Sequence, residues 1–177
     1  MTADATRTDL VLTLLGPDRP GLVEAVAQSI ADHEGNWLES RMAHLAGRFA
    51  GILRVELAAD RVAALTSALT KLEGRGLRIT VEPGGAPGQS ARPMELELLG
   101  MDRPGLVHEV SRLLAQQGVN VEELSTDRFS APMSGEMMFR ARARLDVPTT
   151  IDVSAVRAGL ERLASDLMVE IRLAEPR

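Results

Sequence analysis

The chain of 177 residues contains no cysteine and no tyrosine, and its aromatic complement is one tryptophan and three phenylalanines. Without cysteine there is no disulfide, no thiolate nucleophile and no cysteine-based zinc site. The three histidines, His33, His44 and His108, lack ligand spacing, so no metal and no other cofactor is expected. With so few aromatics, a surface on which nucleobases stack is unsupported. Positive charge is also short: 9 Lys+Arg stand against 11 Asp+Glu up to Glu82, and 11 against 14 from Pro83 onward. Nucleic-acid affinity is mostly phosphate neutralisation, so two mildly acidic halves argue against direct binding of DNA or RNA. No apolar run approaches the ~20 residues of a membrane helix. Met1 to Asp9 carries no basic-then-apolar signal pattern, so the expected location is cytoplasmic, with no membrane partner.

Catalytic signatures are missing too. There is no Gly-x-Ser-x-Gly elbow, phosphate loop, His-Glu-x-x-His or dinucleotide fingerprint, and Glu122 and Glu123 are adjacent residues that point to opposite faces of a strand. The chain is not expected to be an enzyme.

What the sequence does have is a repeat. Gly-Pro-Asp-Arg-Pro-Gly-Leu-Val at Gly16 to Val23 returns as Gly-Met-Asp-Arg-Pro-Gly-Leu-Val at Gly100 to Val107. Apolar spacing after it agrees as well: Leu22, Val23, Val26, Ala27, Ile30 in one copy and Leu106, Val107, Val110, Ser111, Leu114 in the other form one helix face. Asn36 and Asn120 fall in the same register, each just past a glycine able to end that helix, Gly35 or Gly118. Around Ser130 to Gly135 the second copy carries about four extra residues by the sequence alone. Copies of about 80 residues are long enough to bury separate cores.

Within each copy the apolar period alternates between two and 3.6. Leu10, Leu12 and Leu14 mark a first strand, and a helix follows from about Pro20. Strands Asn36 to Ala46 and Arg48 to Leu57 meet at Ala46-Gly47. Asp60 is expected to cap a helix with the stripe Val62, Leu65, Leu69, Leu72, and Leu77, Ile79 and Val81 mark a last strand. The second copy reads as strand Met94 to Leu99, helix Pro104 to Gln117, strands Val119 to Phe129 and Glu136 to Leu145, helix Ser154 to Ala164 and strand Met168 to Leu173. The expected fold is therefore α+β: two ferredoxin-like βαββαβ modules, residues 1–82 and 94–177, each an antiparallel sheet covered by two helices, joined by a Pro/Gly-rich linker at 83–93.

The Asp-Arg-Pro-Gly-Leu-Val loop, the Gly35-Asn36 and Gly118-x-Asn120 helix exits, and the stretch Glu39 to Leu45 carry a resemblance. Each half resembles an ACT domain, and the whole chain is similar to the tandem-ACT family of glycine-cleavage-system transcriptional repressors. The resemblance implies a small amino-acid ligand, glycine or similar, held between the first loop and helix of one domain and a neighbouring domain. It also implies edge-to-edge pairing of sheets, a homo-oligomer, and an output by contact with an activator protein rather than DNA.

Two readings of the loop stand side by side. As a site, Asp18, Arg19, Pro20, Gly21 and Leu22, with Asp102, Arg103, Pro104, Gly105 and Leu106, present backbone N–H groups and a helix N-terminus to a carboxylate, while Asn36 and Asn120 address the ammonium or carboxylate of an amino acid. As plain structure, Asp18 and Asp102 cap their helices, the glycines only turn the chain, and the asparagines are turn residues. Arg140, Arg142 and Arg144 form a basic stripe at period two that either docks an acidic partner or is a solvated sheet face. Met137, Met138 and Phe139 belong to the core or to an adaptable surface, His44 is a cross-strand or interface residue, and Trp37 lies near the site or a domain contact. The leading expectation is an amino-acid-sensing regulator of glycine cleavage or one-carbon metabolism. The alternatives are a regulatory subunit of a metabolic enzyme and a ligand-free dimerisation module.

Overall fold

The computed structural model describes residues 6–85 and 90–176. The chain divides into two compact units, Met1–Ala86 and Pro87–Arg177. The first contains β1 (Arg7–Pro17), α1 (Leu22–Asp32), β2 (Asn36–Leu45), β3 (Arg48–Ala58), α2 (Val62–Thr70) and β4 (Arg78–Pro83). The second contains β5 (Ala91–Met101), α3 (Leu106–Gln116), β6 (Asn120–Ser130), β7 (Met137–Pro148), α4 (Val153–Leu167) and β8 (Glu170–Ala174). Strand orders are β2-β3-β1-β4 and β6-β7-β5-β8, antiparallel throughout. This is the ferredoxin-like βαββαβ layout twice.

Alternation in the central strands creates each core. In the first unit Leu10, Leu12 and Leu14 of β1 are buried beside Leu53, Val55 and Leu57 of β3, under Leu22, Val26 and Ile30 of α1 and Leu65 and Leu69 of α2. The second buries Met94, Leu96 and Leu98 with Ala141, Ala143, Leu145 and Val147, under Leu106, Val110, Leu114, Val156 and Leu160. The expected helix face is wider than the buried one, because Val23 and Val107 remain exposed at equivalent positions.

Several element ends differ from expectation. Both first helices begin at the leucine after the loop, not at Pro20 or Pro104, because Gly21 (φ 86) and Gly105 (φ 95) occupy the left-handed region immediately before it. Asp60 caps nothing: it lies in a 3₁₀ turn, Ala59–Arg61, that precedes α2, and neither that turn nor α2 has a side-chain cap. Among the first helices' exits, the left-handed residue of the first unit is Glu34 (φ 57) rather than Gly35, equivalent by the 84-residue shift to Gly118 (φ 70). Met168 is the left-handed end of α4 and not the first residue of β8. The β6–β7 hairpin is longer than the sequence comparison indicated. Leu45 pairs with Arg48 across two residues, whereas the equivalent Phe129 pairs with Met138 across eight, six more rather than four. Strand pairing also enters the 83–93 stretch, since Pro83 ends β4 and Ala91 opens β5; residues 86–89 of that stretch lie outside the described residues.

The glycine that opens each repeated octapeptide has a packing reason. A Cβ on Gly16 would lie 2.9 Å from Gly76 O and 3.2 Å from Leu77 Cδ1, and one on Gly100 would fall on Val169 Cγ1 and 2.9 Å from its Cβ. The last strand of each unit thus starts directly against the end of the first. Gly100→Ala is expected to lower the free energy of unfolding by about 1 to 3 kcal/mol, measured by urea denaturation; an unchanged midpoint would show that Val169 can move aside at no cost.

Candidate functional site

The repeated loop leaves the sheet at Pro17 or Met101 and is tied at once to the neighbouring hairpin. Asp18 N–H donates to Gly47 O (3.0 Å), and Asp102 N–H to Met137 O (2.8 Å). The aspartate side chains follow the same route. Asp102 Oδ2 pairs with Arg128 Nη2 at 2.6 Å, and Asp18 Oδ2 faces His44 Nε2 at 3.6 Å. His44 and Arg128 are equivalent by the 84-residue shift and lie opposite Phe49 and Phe139 in the register. The reading of Asp18 and Asp102 as helix caps is therefore not what the structure shows: neither first helix has a side-chain cap, and both carboxylates turn toward the end of the edge strand. His44 Nε2 also lies 3.3 Å from Gly47 N, so the neutral ring accepts there while the protonated ring can donate to Asp18.

With the caps gone, the first-turn N–H groups of α1 and α3 are left pointing out of the helix start. The first backbone bonds of the helices are those of Ala25 N–H to Gly21 O and Glu109 N–H to Gly105 O, both 3.0 Å. Around this spot in the first unit is a cleft of about 290 Å³ lined by Arg19, Pro20, Gly21, Leu22, Ala25, Leu72, Arg75 and Leu77. Two guanidinium-bearing residues and a helix N-terminus on one small cleft favour an anion. Nothing in the spacing along the chain points to Arg75, which arrives from the 3₁₀ segment Lys71–Arg75 that continues α2. The second unit has no counterpart, because the last turn of α4 carries no basic residue. There the neighbour of Arg103 is Glu109, whose carboxyl is held below the usual range chiefly by its hydrogen bond from Arg112.

The asparagines are elsewhere. Asn36 opens β2 and is level with Glu56 and, through it, Asp9, whereas the loop starts after Pro17, level with Arg48. Those eight strand steps amount to about 26 Å. Asn120, level with Asp146 and Pro93, stands eight steps from Met101 in the same way. Both are exposed. Each unit thus gathers Asp18 to Leu22, or Asp102 to Leu106, at one end of its sheet and holds Asn36, or Asn120, at the other. Trp37, next to Asn36, packs on the core of the first unit.

The basic stripe is an ion-pair lattice on the sheet face away from the helices. Arg140 binds Asp127 (3.0 and 2.8 Å), Arg142 binds Glu97 (3.1 Å), and Arg144 binds Glu122 (2.7 Å) and lies 3.6 Å from Glu123, so the irregularity between Val121 and Glu123 lets two adjacent acids expected on opposite faces reach one arginine. Arg140 also sits 5.1 Å from the Phe129 ring centroid. Hydrogen bonding from Arg140 holds the Asp127 carboxyl below the ordinary carboxylate range. A shallow groove of about 440 Å³ crosses this face, but its arginines already have acidic partners, Arg142 with Glu97 and Arg144 with Glu123 in its walls and Glu122 beside them. An apolar opening between α3 and the sheet, at Val107, Leu124 and Phe139, has room for only about 30 Å³, about one water molecule.

The loop, its glycine-led helix and the doubled βαββαβ order agree with what comparison shows. Two family models, each describing an ACT domain, match residues 8–82 and residues 94–152 respectively. The chain belongs to the ACT-domain family. It is 22% identical over 162 residues to the glycine cleavage system transcriptional repressor of Escherichia coli K12, covering 89% of this chain and 85% of that protein. Among solved structures, an unknown protein from Galdieria sulphuraria is 31% identical with a TM-score of 0.84, over 97% of this chain and all of the other. A candidate glycine cleavage system transcriptional repressor shares the fold at 19% identity, with a TM-score of 0.69 over 94% of this chain and 96% of that one.

The Arg128–Asp102 pair is partly exposed, with Arg128 61% and Asp102 22% accessible. Arg128→Ala is expected to change stability by less than about 1 kcal/mol while loosening the loop against its hairpin. Amide hydrogen exchange at Asp102 would rise as the observable sign; unchanged exchange there would mean that the Met137 carbonyl alone holds the loop.

Proposed function

We propose that this protein is a non-catalytic, cytoplasmic regulator that senses a small amino acid, glycine or one of similar size, through its ACT loops. The observation that carries this reading is the cleft of the first unit, where Arg19, Arg75 and the start of α1 converge on one anion-sized space. A carboxylate there meets two cations, the uncapped helix end and backbone N–H groups that need a partner. An open cleft of about 290 Å³ also speaks for a ligand and against a ligand-free module whose own side chains fill its site. The loop of the second unit, without a basic residue on the facing helix end, is the weaker of the two.

Asn36 and Asn120 enter such a site only from an ACT module other than the one that supplies the loop, because within one sheet the eight-step separation is several times the length of glycine. The relationship along nearly the whole chain to the glycine cleavage repressor supports a role in controlling glycine or one-carbon catabolism. The net charge of −5 supports an output through a partner protein, a transcriptional activator, in preference to DNA.

Calorimetric titration with glycine and other small amino acids tests the site. Arg75→Ala is expected to weaken binding by about 1.5 to 3 kcal/mol, the size of a hydrogen bond to a charged group, and Arg103→Ala by less. Full affinity in Arg19→Ala and Arg75→Ala together would remove the cleft from consideration, even if the protein binds an amino acid elsewhere. As to output, the purified chain is expected to leave a duplex promoter fragment unshifted at physiological salt, and a salt-sensitive shift by the chain alone would overturn the protein-contact reading.

A further inference from the structure

We propose that the open sheet face of the first unit is a docking surface for a second copy of this chain, the two faces stacking about a two-fold axis that crosses the strands. The two units bury matching residues on the helix side of their sheets but differ on the other side. Cross-strand register places Val11, Leu15, Ile52, Ala43 and Ala50 on the open face of the first unit, with Thr13 and Thr80 between them. Leu15 and Ile52 are 40% and 48% accessible. At the matching positions of the second unit stand Glu95 for Val11, Arg142 for Ile52, Asp127 for Ala43 and Arg140 for Ala50. One copy of the repeat has a charged, internally paired outer face, and the other has an apolar one with no helix over it. Contiguous exposed apolar surface of this kind marks an association site.

Charge on the same face selects the occupant. At the end where β1 starts lie Asp9, Glu56, Glu39 and Glu82, with Arg54 bound to Asp9 and Arg7 bound to Glu56 among them, leaving Glu39 and Glu82 in excess. At the end where β1 finishes lie Arg48 and Arg78, while Arg41 stands at the β2 margin of the middle row, level with Ile52, Thr13 and Thr80. The face is net acidic at one end and basic at the other, with an uncharged middle of apolar and threonine side chains that Arg41 borders on β2. A two-fold axis across the strands keeps β4 over β4 and reverses its direction, which sets Arg78 of one copy over Glu82 of the other and superposes the apolar centres. This isologous arrangement pairs opposite charges at the two ends, Arg78 with Glu82 and Arg48 with Glu56, and brings like charge together only at Arg41 on the β2 margin, whereas the parallel stacking puts like charge on like throughout. Stacked sheets of this type pack about 10 Å apart through interdigitating side chains.

Four strands at about 4.8 Å spacing by about 26 Å of length give a flat face of about 500 Å² per copy. That is below the roughly 800 Å² per partner of a standard interface, so the dimer is a weak, concentration-dependent one. This surface is separate from the loop cleft and from the unpaired backbone of the edge strands, although β2 and β4 contribute side chains to it, and its existence does not depend on the amino-acid reading.

Sedimentation equilibrium on the full chain over a wide concentration range is the test. The wild type is expected to show reversible monomer–dimer association. Ile52→Arg, which copies the residue of the second unit, should weaken it by at least about tenfold. Arg78→Glu should weaken it by about fivefold, and adding Glu82→Arg should restore it, because the swapped charges face each other again. Both positions are exposed on β4, so the rescue does not depend on core folding. A wild type that stays monomeric at the highest concentration reached overturns the proposal. So does a dimer that Ile52→Arg and Arg78→Glu leave unchanged, which would place the association on another surface such as an edge strand.

Discussion

One-sided burial is the constraint on which the rest of this structure depends. Two helices cover one face of a four-stranded sheet, so each strand must alternate, and β1 and β3 do so without a break through Leu10, Leu12, Leu14 and Leu53, Val55, Leu57. A one-residue slip would turn every one of these side chains to the open face. Burying five or six leucine-sized side chains at about 1.5 to 3 kcal/mol each makes such a slip prohibitive. The register thereby fixes which residues meet at each level: loop with hairpin tip at one end, Asn36 with Glu56 and Asp9 at the other.

The same constraint explains how two copies of one module come to differ. Substitution on the helix side is limited by packing, and the buried sets of the two units remain apolar position by position. The open side has no such limit. There the second unit carries Arg140, Arg142 and Arg144 bound to acids across the strands, a lattice that gives little stability per pair but makes the face polar and soluble. The first unit has the Arg54–Asp9 and Arg7–Glu56 pairs near one end of the corresponding area, and across its middle mostly apolar or small side chains with Arg41 beside Ile52. The divergence is thus a property of surfaces, on a fold that the core holds constant.

How much of this could be read beforehand follows from the range of each signal. Period two and the 84-residue repeat are local, and they led to the strands, the helices, the buried leucines and the loop. The Cβ that Gly16 cannot carry, the partner of Asp18 and the place of Arg75 depend on contacts made by distant segments, for which spacing along the chain has no signature. His44 and Arg128 were half legible: the repeat aligns them, and both carry positive charge when the histidine is protonated, but nothing in the sequence aims them at an aspartate. The separation of Asn36 from its loop was implied by topology. A strand, a crossover helix and a second strand running the same way put the start of the second beside the start of the first, so an asparagine opening β2 has to lie away from a loop that closes β1.

That separation bears on why such modules are used in multiples. β2 and β6 are edge strands of ten and eleven residues, almost wholly exposed, each bent by an irregularity at the equivalent point, Trp37/Glu39 and Val121/Glu123. A long edge with unpaired N–H and C=O groups is a pairing surface unless something covers it. It carries the asparagine at one end and the partner of the loop aspartate at the other. A second antiparallel edge laid along it would bring the start of one strand near the finish of the next, and an asparagine near a loop that its own sheet holds about 26 Å away. A ligand touching both would then bind the assembled state better than the separate modules, and by linkage would strengthen assembly by the same factor that assembly strengthens binding. Under the amino-acid reading, sensing and association are one equilibrium, and the half of the site that a single module lacks is what couples them.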